Sequence, residues 1–187
     1  MNEARFLELS LANDVNREIL KRLPDLDLQD AWLVSGGLFQ TVWNGLTNRD
    51  LHHGIKDYDI FYFDPDTSWE AEDRVIRRAR DAFAGIDADI ELKNQARVHL
   101  WYEEKFKTPY APLKKSTDGI DCFLAPACMV GVQPKAQGFI VYAPCGFEDI
   151  ESMTIRPNRT PNFGADAYAV KAKRWLEAWP ELKVIAA

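Results

Sequence analysis

Residues 55–63 (IKDYDIFYF) alternate, so that Asp57, Asp59 and Phe61 fall on one side of an extended segment and Tyr58, Ile60 and Tyr62 on the other. This is strand periodicity, and the apolar side requires a core to bury against. The two carboxylates leave the same face about 7 Å apart at Cα. Ile55, Tyr58, Ile60 and the Phe61 to Phe63 run mark a covered strand, an expensive place for unpaired acids. Like charges held so close repel, so the pair calls for a cation, and oxygen-only ligands suit Mg²⁺ or Mn²⁺. Carboxylates also alternate on solvent-facing strands, so the surroundings of the Asp-x-Asp pair carry the argument.

Upstream, residues 31–34 (AWLV) read as a short strand that runs into Ser35-Gly36-Gly37, and residues 38–46 as a helix. A glycine turn between strand and helix lets bare amides approach a phosphate. Residues 3–23 have helical spacing, with Asn13 as an N-cap that splits them into two helices and Pro24 as the stop. Downstream, Thr67 and Glu70 have the spacing of a capping box and open a helix that ends at Gly85. Residues 87–92 alternate again, with Asp87, Asp89 and Glu91 opposed to Ala88, Ile90 and Leu92. The spacing further predicts strands at 96–102 and 139–142, an apolar helix at 117–130 and a terminal helix at 166–178 carrying Lys171, Lys173 and Arg174. The expectation is an α/β (α+β) fold, a mixed sheet flanked by helices. No repeat or linker divides the chain, so residues 1–187 are expected to form a single domain.

Composition narrows the function. With 47% hydrophobic and 28% charged residues the chain can bury a sizeable core. No apolar run approaches the roughly 18 residues that span a bilayer, and the charged N-terminal stretch has no signal-peptide core. A cytoplasmic protein with no membrane partner is expected. The net charge of −6 provides no footprint for long nucleic acids. It admits a polyanionic ligand only where cations mediate. The three cysteines, Cys122, Cys128 and Cys145, include no C-x-x-C pair and read as buried free thiols rather than a zinc site or disulfides. His52-His53 reads as a solvated pair, His99 as a core histidine, and Trp43, Trp101, Trp175 and Trp179 as packing.

Strand, Gly-Gly turn, helix, Asp-x-Asp strand, helix, acidic strand is an order that resembles the nucleotidyltransferase superfamily typified by polymerase-beta-like enzymes. The segments SGGLFQTVWNGL, GIKDYDIFYFDPDTSWEAED, NQARVHLWYEEKF, APCGFEDI, IRPN and KAKRWLEAWPEL are similar to successive blocks of a bacterial family of nucleotidyltransferase-like proteins. They span about residues 30–185. The resemblance implies a nucleotidyltransferase-like sheet and transfer of a nucleotidyl group from an NTP to a hydroxyl on a small molecule or protein, without indicating which. One departure is that the Arg often found after the double glycine is missing, with Gln40 and Thr41 in its neighbourhood.

On that reading Asp57, Asp59 and Glu91 are the catalytic and metal-binding acids, with Mg²⁺ or Mn²⁺ bridging the phosphates, and Ser35, Gly36 and Gly37 cradle phosphate. Asp89 competes with Glu91 for the third position. Arg156, Lys171 and Lys173 are cationic candidates for phosphate contact, although such residues are more often solvated surface charges, and Asn94, Gln95 and Arg97 are candidates for lining a base pocket. Two alternatives stand beside this reading. One is a nucleotide-binding module of the same fold without turnover, for which the missing Arg leaves room. The other is a nucleotide-sugar glycosyltransferase, whose motif does not include the double glycine.

Overall fold

The fold, described for residues 1–187, comes from a computed structural model. Two short helices open the chain, α1 (Glu3–Ser10) and α2 (Asp14–Arg22). The Asn13 side chain caps α2 by accepting from the Val15 and Asn16 amides, and a 3-10 turn at Leu23–Leu26 with Pro24 inside it ends the run. Then come β1 (Trp32–Val34), α3 (Gly36–Leu46), β2 (Tyr58–Tyr62), α4 (Trp69–Ala82) and β3 (Ile90–Asn94). The second half contains α5 (Val98–Phe106), α6 (Ser116–Asp121), β4 (Gly131–Pro134), β5 (Phe139–Tyr142), α7 (Glu148–Glu151), β6 (Thr154–Ile155), α8 (Ala165–Ala178) and β7 (Lys183–Val184). Five strands form one mixed sheet in the order β3-β2-β1-β4-β5, and β6 pairs with β7 apart from it. Only β2 and β3 run parallel within the large sheet. No helix is long and apolar enough to cross a membrane.

The alternation in residues 55–63 holds. Tyr58, Ile60 and Tyr62 enter the large core, whereas Phe61 joins Trp32, Val34, Ile120 and Met129 in a smaller cluster on the other face. The large core is closed by aromatic packing between α3 and α8: Trp43 meets Phe39, Trp175 and Trp179 edge to face. The indoles of Trp43 and Trp179 donate to the Ile150 carbonyl and to Asn44 Oδ1, so burial leaves neither polar handle unpaired.

Four expectations are corrected. Residues 96–102 are not a strand. The Asn94 side chain accepts from the Asp64 and Ala96 amides and donates to the Asp64 carbonyl. This turns the chain out of the sheet into α5, where Val98, Trp101, Tyr102 and Lys105 recur at helical spacing along one wall. Residues 117–130 are not one helix either. Helix α6 stops at Asp121, and Pro126 opens a separate 3-10 turn. The freed carbonyls of Asp121, Cys122 and Phe123 are taken by the side-chain amides of Asn158 and Asn162, partners no local pattern reveals. The cap of α4 is Ser68, which accepts from the Ala71 amide, so Thr67 and Glu70 form no capping box. Of the cysteines all are free, but only Cys128 is fully buried and Cys145 is exposed.

The crossing of α3 over β2 is a close one. A Cβ on Gly37 would lie 2.5 Å from Tyr58 Cδ1 and 2.9 Å from Asn16 Oδ1, whereas one on Gly36 would meet the side-chain amide nitrogen of Gln40 at 3.1 Å. Gly37→Ala is therefore expected to cost about 1–3 kcal/mol through overpacking, and Gly36→Ala about 1 kcal/mol or less. Thermal melts of both variants check this; equal melting temperatures would contradict the packing role of Gly37.

Candidate active site

Asp59 sits mid-strand on β2, its side chain only 16% exposed. Antiparallel pairing sets it opposite Val34 of β1, and parallel pairing sets it opposite Glu91 of β3. Because side chains alternate along a strand, the in-register pair shares a face, and Lys93, two residues beyond Glu91, shares it too. The Lys93 ammonium lies 2.6 Å from Asp59 Oδ1 and 2.9 Å from Glu91 Oε2. One cation thus holds both carboxylates.

The electrostatics follow from that contact. Burial pushes the Asp59 carboxyl above its ordinary range, Lys93 pulls it back, and the charges of Asp57 and Glu91 add to the rise. The Lys93 hydrogen bond holds Glu91 below its ordinary value. Burial pulls the Lys93 ammonium down, but Asp59 and Glu91 together outweigh it and keep it charged.

Asp57 lies one residue before β2 rather than within it, partly exposed, with Lys56 Nζ 3.8 Å from its Oδ2. Its carbonyl oxygen is 3.7 Å from where a Gly36 Cβ would stand, so the glycine turn abuts the first acid. Ser35 precedes α3 at φ 54 and ψ −115, a backbone region that favours glycine, and its hydroxyl makes no cap bond. Such strain in a non-glycine residue costs of order 1–3 kcal/mol and persists only where the surroundings impose it. Here the Ser35 amide is held by the Val130 carbonyl and its own carbonyl accepts from Leu38 and Phe39. Gly36 and Gly37 form the first turn of α3, where helical amides have no intrahelical acceptor and the dipole favours an anion.

Gln40 and Thr41, in the neighbourhood of the missing Arg, are buried. Thr41 donates to the Gly37 carbonyl at 2.6 Å and accepts from Asn13, so it serves the fold. Asp89 is brought elsewhere. It is exposed, its carbonyl accepts from the Tyr58 amide, and it borders a cleft of about 580 Å³ shared with Asp14, His52, Lys56 and Asp87. Arg156 pairs with Asp149 and Arg97 with Glu72. His52 contacts Asp14 and His53 the Ala178 carbonyl. Of Asn94, Gln95 and Arg97, only Gln95 lines the cavity beside Glu91. The residue that sequence reasoning missed is Lys93. Its signal was the spacing in Glu91-Leu92-Lys93, which puts acid and base on one face.

No group of three or more His, Cys, Asp or Glu side chains stands in metal-ligating geometry; the Lys93 ammonium fills the space between Asp59 and Glu91. The donor set is still oxygen-only, and an ammonium cradled by two carboxylates marks a place built for positive charge. These residues fit a hard divalent cation such as Mg²⁺ or Mn²⁺.

A mixed sheet whose paired acids stand beside a strand-to-helix glycine turn defines the nucleotidyltransferase class of fold. A family model described as Nucleotidyltransferase matches residues 21–184, and the chain belongs to that family. Among solved structures it is similar to one described as an NMR structure that reveals a CCA-adding enzyme head domain. The identity is 26%, the TM-score 0.79, and the alignment covers 100% of this chain and 97% of the other. No curated protein matches the sequence.

Lys93→Met should lower stability at neutral pH by about 1–2 kcal/mol, the modest end for removing a partner from a buried carboxylate, because Lys93 itself is partly solvated. Without Lys93 the raised Asp59 value rises further, a penalty present at neutral pH and relieved as pH falls and the carboxyl protonates. Glu91 loses the depression that stabilises the fold above its ordinary value of 4.5 and that fades below it. Both effects have one sign, so the deficit is expected to shrink on acidification. Melting curves of wild type and variant between about pH 7 and pH 4 check it; a deficit that widens in acid contradicts the assignment.

Proposed function

We propose that the chain is a metal-dependent nucleotidyltransferase that moves a nucleotidyl group from an NTP to a hydroxyl, with residues 1–187 acting as one domain. The observation that carries the reading is the in-register pairing of Asp59 with Glu91 on one face, next to a glycine turn that abuts Asp57. Membership in the nucleotidyltransferase family supports the NTP donor, and likeness to a CCA-adding enzyme head domain supports nucleotide addition. The net charge of −6 favours a small acceptor over a long nucleic acid.

Asp57, Asp59 and Glu91 would hold Mg²⁺ or Mn²⁺. Bound there, the ion would supply positive charge that stabilises the attacking hydroxyl oxygen and the leaving pyrophosphate oxygen. Gly36 and Gly37 offer first-turn amides to phosphate, and Lys93 is the nearest ammonium once its carboxylates are given to a cation. Glu91 orients the acceptor and takes its proton as the acceptor oxygen bonds to the α-phosphorus and the bond to the pyrophosphate oxygen breaks. Glu91 is favoured over Asp89 because it faces Asp59, whereas Asp89 borders a different cleft. The competing reading is a nucleotide-binding module without turnover. On its side is the fact that Lys93 already pairs with both Asp59 and Glu91.

Mn²⁺ should raise the melting temperature of the wild type by mass action, and the double substitution Asp57→Asn with Asp59→Asn should abolish the rise; a full response in the double variant rules out these ligands. Glu91→Gln should keep nucleotide affinity while pyrophosphate release falls about 10²-fold or more, with Asp89→Asn close to wild type. Release rates beside nucleotide affinities decide this. If the wild type binds NTP yet releases no pyrophosphate with any acceptor extract, the binding-module reading takes its place.

A further inference from the structure

Beside the acids lies a cavity of about 240 Å³ to which Glu91 and Lys93 contribute but Asp57, Ser35, Gly36 and Gly37 do not. Its walls are aromatic. Phe61 of β2 stacks on Phe123 at 5.5 Å between ring centroids. Across from them Tyr102 of α5 stands 4.6 Å from Phe106 and 4.3 Å from Tyr110. Trp101 also lines the space, as do Lys105 and, from α8, Lys171.

Two properties of this cavity specify an occupant. Planar rings stack on aromatic walls tolerantly, because every flat ring has a π-face. A volume of about 240 Å³ falls below the usual range for drug-sized ligands and suits one small ring system. The second property is charge. Lys93 is engaged by Asp59 and Glu91, but Lys105 and Lys171 line the cavity with no carboxylate partner. Lys105 is instead held about 5.5 Å from the centroid of the Trp101 ring, and its charge acts on Glu91. Unpaired ammonium groups around an aromatic hollow, in a protein of net charge −6, are a local inversion of sign that fits an anionic ligand.

The position then separates two subsites. Gly36 abuts Asp57, whereas the cavity opens on Glu91 and Lys93, across Asp59 in the sheet order β3-β2-β1. The glycine turn and the aromatic cavity thus share no residue, the turn following β1 and the cavity taking Glu91 and Lys93 from β3. We infer that the cavity is the acceptor pocket, and that it takes a small molecule carrying a planar ring and an anionic group, with a hydroxyl presented to Glu91. The inference rests on the nucleotidyl-transfer reading for the word acceptor, but the ligand class rests on the cavity alone.

The test is a set of titrations of the full chain followed by NMR, with the Trp101 indole signal assigned from Trp101→Phe. Three probes are used: phenyl phosphate (ring and anion), phenol (ring alone) and inorganic phosphate (anion alone). Phenyl phosphate is expected to shift the Trp101 signal and to bind at least about tenfold tighter than either fragment, with Lys105→Gln and Tyr102→Ala each weakening it by about fivefold or more. These variants should keep the Mn²⁺ response assigned to Asp57 and Asp59. If phenol binds as well as phenyl phosphate, or if shifts avoid the α5 wall, the ligand class is overturned. If saturating NTP displaces phenyl phosphate competitively, the cavity is the nucleobase site and the acceptor assignment is overturned. A silent Mn²⁺ titration in the same samples sinks the transfer reading instead, which the probe binding does not depend on.

Discussion

The contact between Gly37 and the ring of Tyr58 sets the geometry on which the rest of the molecule depends. It lets α3 cross β2 at a distance no side chain would permit. Behind it a buried polar network closes the joint. Asn16 donates to the Gly37 carbonyl at 2.7 Å, and Asn13 donates to Thr41 Oγ1 and to the Tyr58 hydroxyl. Both asparagines are fully buried, and their buried hydrogen bonds favour one arrangement because an alternative would strand the polar groups that make them. Next to this contact Gly36 stands against Asp57, and Ser35 takes its glycine-like backbone, held by Val130, Leu38 and Phe39. The joint also explains why the stretch where an Arg is often found is occupied by structure: Thr41 is a member of the joint, and Gln40 is buried against Gly36.

From that joint the sheet carries precision outward. Parallel pairing of β2 with β3 places Asp59 directly opposite Glu91, and the pleat delivers Lys93 to the same face. Burying Asp59 without a counter-charge would be costly, and Lys93 is what makes the arrangement tolerable in the absence of another cation. The acids are therefore neither a solvated stripe nor a finished metal centre. They are a cluster in which one ammonium is shared by two carboxylates, beside an aromatic, lysine-rimmed cavity.

Much of this was legible in the sequence because it rests on local periodicity. The alternation around Asp59 named its strand and both its faces, Asn13 named its cap, and the spacing in residues 166–178 named α8. Where the reading failed, distant groups had overruled a local pattern. Residues 96–102 alternate enough to suggest a strand, but the Asn94 side chain bonds to Asp64 and bends the chain away into a helix. Residues 117–130 look like one apolar helix until Pro126 interrupts them and Asn158 and Asn162 take the carbonyls left behind. Strand β4 stayed hidden because only its pairing with β1 and β5 gives it strand character.

By itself, then, the sequence determined which residue types share a strand face, where helices begin, and that two aspartates and a later acid follow a strand–glycine–helix turn. These are consequences of periods of 2 and 3.6 residues and of capping chemistry, all local properties of a chain. Tertiary structure alone decided that Asp59 faces Glu91 rather than Asp89, that Lys93 bridges them, and that α5 turns its aromatic side toward them. Those outcomes depend on the register between strands about thirty residues apart and on which side chains reach a common point. Such relations are set by packing and by the shared low-dielectric interior, not by neighbours along the chain.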